Sequence, residues 1–239
     1  MPDLYFGKYT GIVKDNRDPQ KLGWLQVSVP AIFPPTELVT ARPALPYGVF
    51  FVPENETKIF VEFEGGDSGL PLWTGIQYVP GEWPTEAAAD VPTRRVVKTQ
   101  AGHLLIFDDT SGSQKIEIHD GANGHVITLD ASGISVKDGV NGHAMTLDAS
   151  GVTLTDGAHQ HSVTMAAVGV TVQAANGAKV ALAAAGVSVD GGALPVSVTG
   201  LLVRLGPGAL PVIRLGDLGI GNLGAPVPIT VTTNTQVLA

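Results

Sequence analysis

Residues 121–191 are a tandem repeat, and its short period decides what this part of the chain can become. GANGHVITLDASGISVKD (121–138) runs directly into GVNGHAMTLDASGVTLTD (139–156), with 11 of 18 positions identical. GAHQHSVTMAAVGVTVQA (157–174) is a third, degraded copy, and 175–191 is a fourth with 17 residues. A unit this short cannot enclose its own core and must stack on its neighbours. Each unit holds two runs of about five residues, such as HVITLD and ISVKD, separated by turn chemistry at ASG and GVNG. Apolar and other residues alternate along the runs, so Ile127 and Leu129 share one face while Val126 and Thr128 share the other. A helix is excluded, because β-branched residues recur at period two and glycine interrupts every few positions. Two short strands per unit predict a β-helix.

How such a stack is covered follows from what it lacks. All 14 aromatic residues lie at or before Phe107, so residues 108–239 cannot form an aromatic-centred globular core. From residue 162 onward the only charged side chains are Lys179, Asp190, Arg204, Arg214 and Asp217. Such faces aggregate when exposed, and a content of Val, Leu, Ile and Ala argues against disorder. Three chains wound together would bury one another's apolar faces and leave no lateral sheet edge. A narrow shared axis admits small aliphatic side chains but not rings. The expected core residues of such a needle are Ile127, Leu129, Met145, Leu147, Val163 and Met165. A single-chain solenoid is the alternative, although it would leave the apolar stretch after Ser162 harder to hide.

Bulk chemistry removes other classes. No cysteine means no disulfide, thiolate metal site or cysteine nucleophile. A net charge of −8 argues against a general nucleic-acid binder and for protein partners. The opening MPDLYFGKYT has no basic start followed by an apolar run, so no signal peptide and assembly in the cytoplasm are expected. No apolar run reaches the roughly 18 residues of a membrane span.

Upstream, residues 9–15, 24–29, 48–52, 58–64 and 72–78 read as short strands joined by turns rich in Asn, Asp, Pro and Gly. Such a run predicts a small closed barrel. PGEWPTEAAADVP (80–92) has three prolines and no strand periodicity, and reads as a linker.

YTGIVKDNRDPQKLGWLQVSVPAI (9–32) and FVPENETKIFVEFEGGDSGLPLWTGIQY (51–78) resemble the OB barrel of contractile-tail central spike proteins, the family of phage baseplate assembly protein V and the VgrG spikes of type VI secretion. KTQAGHLLIFDDTSGSQKIEI (98–118) is similar to the stretch where those proteins pass into their β-helix. The resemblance implies an all-β chain, an N-terminal OB-fold barrel followed by a trimeric intertwined (triple-stranded) β-helix needle. Its divisions would be a barrel at 1–80, a linker at 81–97, repeats at 98–192 and an apolar needle end or tip at 193–239. It further implies a non-enzymatic homotrimer on the axis of a phage tail, an extracellular contractile injection system or a type VI secretion machine. A baseplate hub protein would sit above the barrels, and a PAAR-type tip protein or effector would dock at the C-terminal end. The target membrane would be pierced transiently on sheath contraction, and the place of residence would be the baseplate of a virion or injection particle. No lysozyme-like insert separates barrel from needle.

Candidate chemistry is sparse. Asp108 and Asp109 are adjacent, so on a strand they point to opposite faces and form no acid/base pair. His125, His143 and His161 recur at 18-residue spacing, and three chains could stack them as rings inside the needle. His159 and His161 form an H-x-H pair; the resemblance implies a metal at such pairs, where six imidazoles from three chains could make an octahedral site. The pair sits mid-repeat, however, and packed or solvent-bonded histidines are the expectation, with no catalytic residue and no cofactor. DGANG and DGVNG lack the paired glycines of a calcium β-roll and read as turns. VRLG and IRLG duplicate in the tail, where Arg204, Arg214 and Asp217 could pair between subunits. A β-solenoid adhesin or carbohydrate-binding fibre stalk is the competing class; it should end in an aromatic-bearing head, which this tail lacks.

Overall fold

The computed structural model describes residues 4–198 and two short strands, Leu218–Ile220 and Pro226–Pro228, which pair antiparallel. Reading of the tail, including the roles considered for Arg204, Arg214 and Asp217, falls outside the described residues. Contacts divide the chain into a first unit holding residues 1–122 with 128–131 and a second holding 123–127 and 132 onward.

Five strands of the first unit close a barrel: β1 (Tyr9–Asp15), β2 (Leu25–Ser28), β3 (Val39–Pro43), β4 (Lys58–Phe63) and β5 (Pro71–Ile76), in the order β1-β2-β3-β5-β4. The β3–β5 pairing is parallel and the others are antiparallel, which is how the sheet closes on itself. Alternation sends Val13, Leu25, Val27, Ile59, Val61 and Trp73 inward. Trp73 brings a polar atom into that core and satisfies it, its Nε1–H donating to the Gly23 carbonyl at 3.0 Å. The β1–β2 turn is tied by Asp18, whose carboxylate accepts from the amides of Gln20, Leu22 and Trp24 at 2.9, 2.7 and 3.2 Å.

One expected strand is misplaced. Residues 48–52 are loop, with Val49, Phe50 and Phe51 exposed, and the third strand is Val39–Pro43 instead. VTARP shows little apolar alternation, because Ala41 is its one fully buried residue and Val39 packs only partly buried against the core.

The segment after the barrel is ordered rather than slack. Trp83 stacks on Tyr78, a 3-10 turn covers Thr85–Ala87, and Lys98 holds Glu86 with both carboxylate oxygens. Strand β6 (Arg94–Lys98) begins inside the stretch read as linker.

From β6 onward the strands stand beside their sequence neighbours, in the order β6 to β16. They are β7 (Leu104–Asp108), β8 (Lys115–His119), β9 (Val126–Asp130), β10 (Gly133–Lys137), β11 (Ala144–Asp148), β12 (Gly151–Thr155), β13 (Ser162–Ala166), β14 (Gly169–Gln173), β15 (Lys179–Ala183) and β16 (Gly186–Asp190). The all-β plan of barrel followed by repeat-built needle region is therefore present. Strands β10 to β16 pair antiparallel within one chain. Two-residue turns such as 149–150 alternate with loops of five or six residues such as 138–143, and together they place each strand beside the next, which leaves sheet faces to other copies. Gly151 shows what those turns demand: its φ is +133°, and a Cβ there would lie 1.9 Å from the Met165 carbonyl oxygen.

Candidate functional site

The repeat gives the sheet two unlike faces. On one, Val136, Met145, Leu154, Val163, Val172, Val180 and Val189 stand opposite one another strand by strand. A second apolar row, from Ile134 through Leu147, Val152 and Met165 to Val187, runs beside it. The other face carries Ser135, Thr146, Thr153, Thr164, Thr171, Ala181 and Ser188 along its middle. This is period two repeated in register, so one residue of slip would mix the faces.

Within a single chain the apolar rows stay open. Leu154 is 43% exposed and Met165 is 44% exposed. Val136, Met145, Leu154, Val163 and Val172 line a groove of about 710 Å³ together with His143 and His161. The first unit has a like pattern of its own, pairing Val97 with Leu105 and Leu105 with Ile118. Of the residues singled out in the sequence, Met145, Leu147, Val163 and Met165 stand in these rows, and Ile127 and Leu129 share a face of β9 by alternation.

The histidines close the loops at the end of the sheet. Amides of Gly139, Gly157 and Ala175 each donate to the Nδ1 of His125, His143 and His161 at 3.2 Å. Nδ1 of His125 also lies 3.0 Å from Asp138, and that of His143 3.1 Å from Asp156. A bare Nδ1 accepts from the amide and a protonated one donates to the carboxylate, so the ring has a partner in either state. Asp138 in turn accepts from Val140 and Asn141 at 3.0 and 2.9 Å. These backbone amides, Val140 first, hold its carboxyl below the usual range against partial burial.

His103 belongs to the same series, its Nδ1 accepting from the Gly121 amide at 3.2 Å. The 18-residue period missed it because the loop between β7 and β8 has six residues (109–114) where later hairpins have two, which widens the spacing by four. An aligned H-L-L-I-F-D beside H-V-I-T-L-D was the available signal.

His159 and His161 have separate duties. His159 takes the loop position of Asn141 and bonds Asp156 through Nδ1 at 3.0 Å, while His161 holds the Ala175 amide. Their rings lie 6.1 Å apart, nearly parallel. Among the described residues, no group of three or more His, Asp or Glu is close enough to hold a metal ion. Asp108 and Asp109 also diverge. Asp108, 3% exposed, accepts from Arg94 Nε at 2.8 Å and from the Thr110 amide at 3.0 Å, whereas Asp109 pairs with Arg95. Hydrogen bonds from Thr110, and then Arg94, lower the Asp108 pKa to about 2.

Family comparison matches both parts in the same order. Residues 9–78 match the type VI secretion system/phage-baseplate injector OB domain. Residues 94–158 and 140–195 match the phage baseplate V C-terminal trimerisation domain, which makes the open apolar face part of a homotrimer-forming domain. No curated protein matches the chain. The chain belongs to the baseplate spike family that joins an injector OB domain to a C-terminal trimerisation domain, a family of structural baseplate components.

Proposed function

We propose that the homotrimer is the axial puncturing spike of a contractile injection machine, driven through the target envelope when the sheath contracts. The carrying observation is the two-faced sheet: unbroken apolar rows on one side and a threonine row on the other. Three such sheets with their apolar rows facing the axis make a rod held by side-chain burial, and the threonine faces meet solvent. At about 25 cal/mol per Å², rows of this length supply a large association energy without a single ring. Ile127, Leu129, Met145, Leu147, Val163 and Met165 are the axial packing residues in this reading. Catalysis and cofactors have no part in such a role.

The OB barrels seat beneath a baseplate hub, and the C-terminal end receives a PAAR-type tip protein or effector. Assembly takes place in the cytoplasm, before the spike joins a virion or injection particle. Electron microscopy of particles carrying a gold-labelled C-terminus tests the placement. Label at the axial end of the baseplate is expected; label along the sheath or tube would overturn the reading.

A further inference from the structure

Tyr78 and Trp83 form a platform that the barrel core does not use. Their ring centroids are 4.0 Å apart at 20°, yet Trp83 remains 63% exposed and neither ring belongs to the core cluster. A tight turn fixes the pair: the Glu82 amide donates to the Val79 carbonyl at 3.1 Å, and the Val79 amide donates to Glu82 Oε2 at 2.9 Å. Just beyond, Lys98 holds Glu86 at 2.8 and 3.0 Å, so the segment carrying Trp83 is pinned on both sides. The rings line a groove of about 480 Å³ whose walls include Pro53 and Ile76 and whose polar groups include Thr57, Thr99 and Gln100.

We propose that this groove is a saccharide-binding subsite that takes a pyranose ring against the free face of Trp83. The apolar C–H face of a pyranose matches a flat, exposed indole, and its hydroxyls match the threonine hydroxyls and the Gln100 amide. With one indole face covered by Tyr78, the ring is already oriented, which reduces the ordering cost of binding. The volume lies within the range of small-molecule sites, whereas a protein partner needs a patch of about 800 Å². The glycan layer of a target envelope would supply such rings. The site itself does not depend on the piercing role.

The test uses the intact full-length oligomer, with chitotetraose, maltotetraose and mannotetraose as probes, read by calorimetry and saturation-transfer NMR. Saturable binding of at least one probe is expected, weakened about tenfold or more by Trp83→Ala. Trp83→Phe, which keeps a flat ring, should retain measurable binding; if Trp83→Ala fails to assemble, Gln100→Ala becomes the deciding variant and should weaken it. No saturation with any probe, or equal binding by wild type and the deciding variant, would overturn the proposal. So would Trp83-dependent capture of a purified baseplate protein in place of sugar. Each of these results leaves the spike reading intact, because that reading rests on particle location.

Discussion

Met145 on β11 lies directly opposite Leu154 on β12, and Leu154 directly opposite Val163 on β13. The contact is a column rather than a local pair, because the sequence returns an aliphatic side chain to that row in every strand from Val136 to Val189. Cross-strand neighbours of this kind support the sheet within one chain. Their remaining exposure is what three copies would bury.

A charge placed in that face should therefore block assembly. Met145→Asp or Ile127→Asp removes about 1.5–3 kcal/mol of apolar burial per chain and leaves a carboxylate in a closing interface. Thr146→Asp or Thr128→Asp puts the same charge on the opposite face and should be tolerated. Sedimentation of the four variants decides the facing, and equal behaviour would refute it.

Replacing Gly151 by alanine should break its hairpin. The conformation is strained for any L side chain, and the new Cβ would overlap the Met165 carbonyl oxygen. A loss well above about 1 kcal/mol is expected, seen as a lowered thermal midpoint. An unchanged midpoint would show that the turn relaxes freely.

His143→Ala deletes the acceptor for the Gly157 amide without touching the apolar rows. A loss of about 1 kcal/mol local to that loop is expected, which is roughly fivefold faster hydrogen exchange at Gly157. The Gly139 amide, held by His125, should be unaffected.

Asp108 sets an acid limit for the first strands of the repeat region. Its carboxyl titrates at about 2 instead of 3.8, because Thr110 and Arg94 bind the ionised form. The folded pKa is depressed, so its stabilising contribution is full above 3.8 and disappears as pH falls through 2. Denaturant midpoints across that window should fall more steeply for wild type than for Asp108→Asn.

Much of this architecture was legible in the residues, for definable reasons. The needle region announced itself because one unit is copied and its period-two alternation survives copying, so Met145 and Val163 fall into one row. The barrel was legible wherever both strand residues and turn residues were distinctive, as at 9–15 and 58–63. Val39–Pro43 was hidden because Ala41 is its one fully buried residue and Val39 only packs against the core, and residues 48–52 misled because Val49, Phe50 and Phe51 are exposed and only Val52 packs against the core. Intrachain pairing was not legible, since alternation fixes which face a residue occupies but not which chain supplies the next strand. The loop role of the histidines was equally hidden: spacing puts His143 and His161 in equivalent places, but it is the fold that brings each Nδ1 to the amide of the following loop.

The central claim is that the core of the repeat region exists among three chains, and native mass in solution tests it most directly. A particle of three times 24.7 kDa, persisting on dilution, is the predicted result. A stable monomer at 24.7 kDa would contradict it, because the apolar rows would then have to remain in water.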